Sequence, residues 1–502
     1  MEYLIQDSRK LSDTLFNLRE RFSSLDILAN PYFQLVKPTP ENLKKYSRIT
    51  NNDKVQFSLT LISFLPSLLQ NFTVNLAHCF LYSSESRKLK REKITNSKWL
   101  LISHFTEAAY QNQHDLFLHT LPEDLNSRKL SNSTFLLNHT KRKYVEIYSW
   151  LQQNKQNPTI LNPRSVSVFV FLKMFFTQTK LALRIFWAAL TDKNIKSLER
   201  TLMVVGAKHQ THRETLVNIM LGKNLKILCR ELDPRNIVCT FEGHAFELYL
   251  RKILSDEKIA RRFYFFQHAP IVPAQFGMIK MCSFMHANDQ VLASGDYTKD
   301  FLQNKLSEKS RPVLILGSPK HVSSSSPVLT GGSQSASKHQ VLLAPEGTRD
   351  SLFEFSDLGK YLAQQLPDEK FQIRVHPAVK LTSKDLDNFT LHKFPNLHIS
   401  NRTLLSDLTD SKVCIYRSSA VGIEASSLGV IPIHLGYISK SDLNPLHLCD
   451  SRSIGFITFE EIYNFIQDRI YSGDTEARAS LRELTLSMGN YYAEFNSKIL
   501  FG

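Results

Sequence analysis

The feature that most constrains the fold is a regular alternation between short apolar runs and segments of helical periodicity. From about residue 97 to 317 the apolar runs are KWLLISHF, STFLLNHT, NIVCTFEG, RFYFFQHA, QVLASG and PVLILGSP. A second series begins near residue 341 with VLLAPEG, FQIRVHPAV, SKVCIYRSS and VIPIHLG. Short apolar runs separated by helices are typical of parallel sheets that helices cover on both faces. The sequence therefore predicts an α/β fold.

The two series predict how the chain divides into domains. Its 502 residues suit two or three domains. We expect an N-terminal extension of unknown role over 1–96, a first α/β domain over 97–317 and a second over 341–502 that ends in C-terminal helices. The segment 318–340 is rich in serine and glycine, which predicts a flexible linker or loop. Two α/β units joined in this way suggest two facing domains with a ligand cleft between them.

Two apolar segments are long enough to raise the question of a membrane span. Residues 55–84 carry no charge, but their alternation of apolar and polar side chains predicts two half-buried strands. Lys173, Lys180 and Arg184 interrupt residues 166–190 at helical spacing, which predicts an amphipathic helix. The bulky face of that helix either packs inside the protein or lies on a bilayer surface.

The cysteines and the N-terminus predict a cytoplasmic protein. The six cysteines form no CxxC pair and have no histidine at zinc-ligand spacing, so we expect buried reduced thiols and no metal site. The first residues, MEYLIQDSRK, lack the basic start and apolar core of a signal peptide.

The net charge of +15 is concentrated in the N-terminal part of the chain. Residues 1–200 hold 28 basic and 16 acidic side chains, and they include the cluster Arg87, Lys88, Lys90, Arg91 and Lys93. Such a surplus suits an anionic membrane surface or a nucleic acid. No aromatic and basic recognition motif is present, so we expect no nucleic acid. We predict peripheral attachment at the inner face of the cytoplasmic membrane.

Two motifs of the second domain predict a phosphate site. The first is Arg374, Val375, His376 and Pro377 at the end of a strand, and the second is Tyr416, Arg417, Ser418 and Ser419 at the next strand-to-helix turn. Ligands bind at the carboxyl edge of a parallel sheet, where both motifs fall. Hydroxyl and N–H groups of the two serines suit an anion, and His376 can donate a hydrogen bond or a charge to it.

The order of these motifs resembles that in the donor half of bacterial GT-B glycosyltransferases of capsule and lipopolysaccharide synthesis. RVHP followed by YRSSAVGIEASSLGVIPIHLG is most similar to sialyltransferases and Kdo transferases, which use CMP-activated sugars. The resemblance implies two facing Rossmann-like domains, the first on the acceptor side and the second binding the donor. It places His376, Pro377, Ser418 and Ser419 at the CMP phosphate and Glu424 at a ribose hydroxyl. Further candidates for donor binding are Arg374, Arg417, Glu346 and Gly347.

The segment FEGHAFELYLRKIL resembles the acidic-glycine motif of bacterial sialyltransferases and the E-G-x-x-x-E pattern of surface-carbohydrate glycosyltransferases. The resemblance makes Glu242 the general base that deprotonates the acceptor hydroxyl, with Glu247 as the second choice. His268, which ends a strand in FFQHAP, is a further candidate on the acceptor side. A purely structural alternative stays open for three of these candidates. Glu242 would be a carboxylate at a helix N-terminus, Glu424 would lie on a solvated helix face, and Glu346-Gly347 would form a plain turn.

The resemblance implies transfer of a sialic acid-like or Kdo-like sugar from a CMP donor to a hydroxyl of a glycan or a lipid-linked glycan. No cofactor or metal is required, because the leaving group is a nucleoside monophosphate. A polyol-phosphate transferase or a UDP-sugar transferase of the same fold is the alternative. The former is disfavoured because Tyr416 and Arg417 depart from its aspartate and tyrosine. A basic protein that binds nucleic acid or membrane without catalysis is the alternative of another class.

Overall fold

A computed structural model describes residues 8–501 apart from short gaps. The longest gaps are most of 36–52, then 88–96, 256–261, 321–339, 437–442, 448–453 and most of 472–489. The predicted linker and the basic side chains of 88–93 therefore lie almost entirely outside the described residues.

The first sheet contains seven parallel strands in the order β3-β2-β1-β4-β5-β6-β7. They are β1 Trp99–Phe105, β2 Asn132–Asn138, β3 Thr159–Leu161, β4 Asn236–Thr240, β5 Arg262–Gln267, β6 Gln290–Ala293 and β7 Leu314–Ile315. Each apolar run of the first predicted series forms one of these strands. The strand order reverses between β1 and β4, which creates a topological switch point at the carboxyl edge of the sheet.

The second sheet contains six parallel strands in the order β10-β9-β8-β11-β12-β13. They are β8 Gln340–Ala344, β9 Lys370–Ile373, β10 Leu397–Ile399, β11 Val413–Tyr416, β12 Ile431–Leu435 and β13 Ile454–Phe456. Central strands β8 and β11 are buried almost throughout, as expected for a sheet with helices on both faces. The switch point of this sheet lies between β8 and β11, next to the predicted phosphate site.

Helices cover both sheets. The N-terminal part and the first unit contain α1 Ser8–Glu20, α2 Asp53–Ile62, α3 Phe64–Arg87, α4 Glu107–Asn112, α5 Leu121–Ser127, α6 Tyr144–Gln153, α7 Val168–Thr191, α8 Ser197–Gln210, α9 Arg213–Leu232, α10 Ala245–Ser255, α11 Phe276–Cys282 and α12 Asp296–Gln303. The second unit contains α13 Arg349–Gln365, α14 Leu404–Thr409, α15 Val421–Ser427 and α16 Phe459–Phe465. Thr348 caps α13 through a hydrogen bond from Ser351 N, and Gly429 follows α15 with a φ of +70°, the left-handed cap that glycine favours.

The prediction of two strands within 55–84 was wrong, because this segment forms α2 and α3. Helix α3 packs beside α7, with the ring of Phe64 stacked on Phe186 at 4.2 Å and the ring of Phe72 edge-on to Phe175 at 5.2 Å. Packing against α7 thus overrides the period-two pattern of the sequence. Helix α7 itself confirms the helix predicted for 166–190. Within the described residues, no helix combines the length and the apolarity needed to cross a membrane.

The N-terminal extension belongs to the helical layer of the first unit. Leu15 of α1 and Phe33 are buried in one cluster with Ile185 of α7 and Val204 of α8. The ring of Phe33 packs directly on the backbone of Gly206, where a Cβ atom would come within 2.1 Å of the ring. Residues of the extension therefore complete a hydrophobic core that α7 and α8 cannot close alone.

The end of the chain returns to the first unit. Most of the segment predicted to form C-terminal helices lies outside the described residues. Helix α16 precedes it, and the described residues 490–501 end in a 3₁₀ turn, Ser497–Leu500. Ala493 N donates a hydrogen bond to Ser294 O at 2.9 Å, and the ring of Phe501 packs edge-on to Trp99 of β1. The tail thereby ties the second sheet to the first.

The carboxyl edges of the two sheets face each other. Leu443, which follows β12, is fully buried against Val272 and Ala274, which follow β5. Tyr297 of α12 packs on Tyr491 of the returning tail, with ring centroids 4.7 Å apart. The predicted architecture, two Rossmann-like α/β units facing across a cleft as in a GT-B fold, is confirmed.

Candidate active site

Polar side chains gather at the carboxyl edge of the first sheet, where four successive strands end. The side chains are His104 of β1, His139 after β2, Thr240 at the end of β4, Glu242 and His244 just beyond it, and His268 after β5. Strands β1 and β4 flank the switch point of this sheet. The cluster thus occupies the position where an open α/β sheet binds its ligand.

Glu242 lies at the centre of this cluster, between two imidazoles. His268 Nε2 is 3.0 Å from Glu242 Oε1, and His244 Nε2 is 3.4 Å from Oε2. The Glu242 side chain keeps 30% of its surface exposed, whereas His268 keeps 14%. A substrate hydroxyl can therefore reach the carboxylate while both imidazoles hold it in place.

The two histidines also set the charge of Glu242. Burial opposes ionisation of the carboxyl, but the hydrogen bonds from His244 and His268 outweigh it and hold the pKa of Glu242 well below its usual range. Glu242 is therefore a carboxylate at neutral pH and can accept a proton from a bound hydroxyl.

Glu247 supports the loop that presents Glu242 and does not face the cleft. Its side chain is 1% exposed, and its carboxylate accepts the backbone N–H groups of Glu242 at 3.0 Å, Gly243 at 2.8 Å and His244 at 3.0 Å. Burial raises the pKa of Glu247 to about 7, although His244 and these N–H groups oppose the rise. The structure thus gives Glu247 a positioning role instead of the predicted second choice of base.

Gly243 is required by the backbone of the same loop. Its φ is +86°, and a Cβ atom there would lie 2.2 Å from the backbone nitrogen of Met278 in α11. No L-residue with a side chain fits this conformation and this space. The glycine of the acidic-glycine motif therefore lets the β4–α10 loop pack directly on α11.

A second hydrogen-bonded chain runs beside Glu242. His104 Nδ1 is 2.8 Å from His139 Nε2, and His104 Nε2 is 3.0 Å from Thr240 Oγ1. Burial, followed by the neighbouring His139, lowers the pKa of His104 to about 3. His104 is thus neutral at pH 7, and the ring of Phe117 packs against both His104 and His268.

The edge of the second sheet presents the predicted serine pair. Ser418 adopts a left-handed backbone, with a φ of +46°, at the turn between β11 and α15. Its hydroxyl donates to Leu443 O at 3.3 Å, and Ser419 Oγ accepts from Val421 N at 3.3 Å. A serine held in this costly conformation marks a turn whose shape the surrounding structure enforces.

The two arginines predicted to bind the donor both form contacts within the second unit. Arg417 is 1% exposed, and its guanidinium forms a two-pronged ion pair with Glu354 of α13 and donates to Leu435 O. Arg374 donates to the fully buried Asp407 of α14 at 2.9 Å. The Arg417 guanidinium is buried among protein partners, whereas Arg374 keeps 22% of its side chain exposed, so donor binding by Arg374 stays a prediction.

The other donor candidates line the same edge. His376 and Pro377 follow β9, separated from β11 by the single strand β8, and Pro377 is exposed. Glu346 and Gly347 follow β8, where Glu346 is buried and Gly347 is exposed. Neighbouring strands lie about 4.8 Å apart, so the ends of β9 and β11 are separated by about 10 Å. A nucleotide can span that distance.

Glu424 connects the two units. It lies on α15, and its carboxylate forms a 2.6 Å ion pair with Lys320, which follows the last strand of the first sheet. Lys320 is about half exposed, so the pair is accessible to water. A ribose that uses Glu424 must therefore share the carboxylate with Lys320 or displace the lysine.

One loop contact brings the two halves of the predicted site together. Ser418 bonds to Leu443, Leu443 packs on Val272 and Ala274, and Gln275 of the same β5–α11 loop donates to Glu242 O at 3.0 Å. The predicted base and the predicted phosphate turn are thus linked through a single layer of packed residues.

Sequence reasoning missed three histidines of the cluster, His104, His139 and His244. The signal was present, because three of the apolar runs end in a histidine as WLLISHF, FLLNHT and FFQHAP do, and a fourth follows FEG. Histidine recurring at strand ends of one parallel sheet predicts side chains that meet at one edge.

Comparison with known proteins adds no family. No protein family matches the chain, and no curated protein matches it. Among solved structures, a UDP-GlcNAc 2-epimerase from Neisseria meningitidis bound to UDP-GlcNAc is similar over 80% of this chain and 98% of its own, with 12% identity and a TM-score of 0.48.

Two solved structures of plant and bacterial enzymes are similar as well. Apo UGT2 of Phytolacca americana matches 80% of this chain and 98% of its own, with 13% identity and a TM-score of 0.45. The glycosyltransferase SnogD from Streptomyces nogalater matches 79% and 96%, with 13% identity and a TM-score of 0.40. Likenesses this distant do not indicate an activity.

Proposed function

We propose that this protein is a glycosyltransferase that moves a sugar from a CMP-activated donor, of the sialic acid or Kdo type, to a hydroxyl of a glycan or lipid-linked glycan. The observation that carries the proposal is that one layer of packed residues between the two units connects Glu242 to Ser418. Leu443 accepts the hydrogen bond of Ser418 and packs on the β5–α11 loop, from which Gln275 donates to Glu242 O. An ionised carboxylate facing an anion-binding turn is the arrangement that transfer between a hydroxyl and a phosphate leaving group requires.

The acceptor side supplies the base. The acceptor hydroxyl binds at Glu242, whose carboxylate takes its proton as the new bond forms between the acceptor oxygen and the anomeric carbon. His268 and His244 hold the carboxylate in position before the reaction and share the proton afterwards. Glu247 keeps the loop in place by accepting three consecutive backbone N–H groups.

The donor side stabilises the leaving group. As the bond between the anomeric carbon and the phosphate oxygen breaks, CMP departs with that electron pair and negative charge grows on its phosphate. Ser418, Ser419 and His376 at the carboxyl edge of the second sheet are the groups we place at this charge. The left-handed turn at Ser418 fixes the backbone of the serine pair before the donor arrives, and the Ser418 hydroxyl exchanges its hydrogen bond to Leu443 O for one to the phosphate.

CMP is favoured over UDP by the order of the HP and SS motifs, and a UDP-sugar remains the second candidate donor. The leaving group of a CMP-sugar is a monophosphate, so the residues at the turn suffice to meet its charge and no cofactor is required. Arg417 takes no part in the phosphate site because Glu354 already engages it. The donor pocket therefore relies on neutral hydroxyls and on His376.

Thermal unfolding with CMP, CDP, UDP and a short DNA duplex tests the donor. A rise in Tm with CMP that exceeds the rise with the other three supports the proposal, because a ligand that binds only the folded state stabilises it. His376→Ala should lower turnover about a hundredfold or more, by analogy with loss of one donor to a developing oxyanion. Stabilisation by DNA alone, or near-normal transfer by His376→Ala, would refute it.

A further inference from the structure

Large apolar side chains are exposed on one set of helices and scarcely elsewhere. Thirteen of the sixteen exposed large hydrophobic residues in the described part of the chain lie on α2, α3 and α7. They are Leu59, Ile62, Leu65, Leu69, Val74, Phe80, Leu81, Phe169, Val170, Phe176, Leu183, Trp187 and Leu190. Monomeric soluble proteins seldom gather so many on one surface, and such a surface marks a binding face. We call this set the apolar face.

The three helices expose these side chains while their opposite sides are packed. On α7, Phe169, Phe176 and Trp187 are 77%, 64% and 66% exposed, and they recur at intervals of seven and eleven residues, which places them on one side of the helix. The other side of α7 buries Phe171, Phe175, Ile185 and others in the core. Packing in the core therefore accounts for the inner apolar side chains of α7 but not for the exposed ones.

Helices α3 and α7 lie side by side and run in opposite directions. Phe72 contacts Phe171 and Phe175 near the start of α7, whereas Phe64 stacks on Phe186 near its end. The outer sides of the two helices therefore adjoin along about 22 Å, the rise of α7 from Phe171 to Phe186.

The charged side chains among the exposed apolar residues of α7 are all positive, and the carboxylates of α2 and α3, Asp53 and Glu85, lie at the ends of these helices. Residues 55–84 contain no charged side chain, and residues 166–191 contain Lys173, Lys180 and Arg184 but no aspartate or glutamate. All three cations are exposed among the apolar side chains of α7. A long cationic side chain can lie on apolar surface and extend its charge to a lipid phosphate.

We propose that α2, α3 and α7 form a membrane-binding face that inserts its apolar side chains into the headgroup region of an anionic bilayer. A second copy of this chain is the less suitable occupant. Pairing two such faces would bring Lys173, Lys180 and Arg184 together with no carboxylate on either side, and the buried cations would be uncompensated. A bilayer with anionic lipid supplies both an apolar layer and the opposite charge.

Trp187 provides a built-in reporter of binding. The chain has three tryptophans, of which Trp99 is buried and Trp150 is half-buried, so Trp187 is the one exposed on the apolar face. Vesicles that contain phosphatidylglycerol should shift its emission to shorter wavelength, and brominated lipids should quench it. Trp187→Phe should keep vesicle binding but lose both signals.

Co-sedimentation of the full chain with vesicles tests the surface quantitatively. Phe176→Ser should weaken binding about tenfold, as loss of one inserted aromatic side chain predicts. Replacement of the three cations by glutamine should weaken binding to phosphatidylglycerol vesicles about fivefold per charge, with little effect on pure phosphatidylcholine. Leu405→Ser and Ile457→Ser, exposed apolar residues of the second unit, are matched controls that should leave binding unchanged.

These outcomes separate the bilayer from a second copy. If wild type fails to sediment with either vesicle and shows no shift of emission, the proposal is wrong. Concentration-dependent dimerisation that Phe176→Ser abolishes, without vesicle binding, would instead assign the face to a second copy. Each variant must unfold at the Tm of wild type, because the altered side chains are exposed.

Discussion

At the scale of single residues, the proposed function makes Glu242 the group on which transfer depends most. Glu242→Gln keeps the size of the side chain and its contact with His268 but cannot accept the hydroxyl proton. We expect kcat to fall by about a hundredfold to ten-thousandfold with KM for the donor nearly unchanged, as loss of a general base predicts. Steady-state kinetics of a folded variant measure this. Equal loss of donor binding would show that Glu242 belongs to the donor site.

Ser418 offers a comparison between strain and chemistry. Ser418→Gly and Ser418→Ala both remove the hydroxyl, but only glycine accepts a φ of +46° without cost. The glycine variant should therefore be more stable than the alanine variant by about 1 kcal/mol, whereas both should lose transfer to a similar extent. Urea unfolding and activity measured on the two proteins check this. Equal stability would contradict the enforced turn.

Arg417 separates a structural residue from a ligand contact. Arg417→Lys loses the two-pronged pair with Glu354 and the bond to Leu435 O, so the free energy of unfolding should fall by about 1–3 kcal/mol. Glu354 is 43% exposed, which keeps the loss below that of a fully buried pair. Affinity for CMP, measured by calorimetry, should change less than twofold. Unchanged stability with a tenfold loss of CMP affinity would restore Arg417 to the donor site.

At the scale of elements, the ends of β1 and β12 each hold a neutral histidine, partly buried at His104 and buried at His434. Burial and His139 lower the pKa of His104 to about 3, and burial and Arg417 lower that of His434 to about 4. The unfolded chain takes up a proton near pH 6.5 and the folded chain does not. The stability contributed by each residue is therefore complete above that pH and is lost as the pH falls towards the folded pKa.

Acid unfolding should show this loss. Between about pH 6 and pH 4 each histidine should cost about 1.4 kcal/mol of unfolding free energy per pH unit. His104→Gln removes one of the two groups, so its stability should fall less steeply than that of wild type over this range. Urea unfolding at several pH values compares the slopes. Identical pH dependence of stability in wild type and His104→Gln would show that the fold does not lower the pKa of His104.

The elements also show where sequence patterns succeed and fail. Apolar runs such as WLLISHF and VCIYRSS predicted strands correctly, because a strand buried on both faces needs a continuous apolar run. The segment 55–84 was predicted wrongly as strands. Its uncharged alternation of apolar and polar residues fits a strand as well as a helix with two apolar sides. Only the packing of Phe64 and Phe72 on α7 decides between them.

The sequence predicted where the candidate site lies but not the contacts of its side chains. The motifs drew attention to Glu242 and Ser418, since each follows a strand at the carboxyl edge of its own sheet. The contacts of Arg374, Arg417 and Glu247 were not predictable. The partners of the two arginines, Asp407 and Glu354, are distant in sequence, and no sequence pattern shows that Glu247 accepts the backbone N–H groups of residues 242–244. Tertiary contacts decide which polar residues of a motif remain available to a ligand.

At the scale of the whole molecule, two connections hold the cleft in its shape. The returning tail joins Ala493 to Ser294 and Phe501 to Trp99, and Leu443 fills the gap between the facing edges. Together they place the Glu242 carboxylate and the Ser418 turn on opposite walls of one cleft, the walls to which the proposed function assigns the acceptor and the donor. The apolar face on α2, α3 and α7 belongs to the same unit as Glu242, so membrane attachment would act on the acceptor side.

The most direct test of this account is transfer from a CMP-sugar by wild type and Glu242→Gln, with CMP affinity measured on both proteins. CMP release with CMP-sialic acid or CMP-Kdo and a glycan acceptor should be measurable for wild type. Glu242→Gln should bind CMP with the affinity of wild type and release it at least a hundredfold more slowly. Absence of CMP binding by the folded wild-type protein, or equal rates of release by the two proteins, would contradict the account.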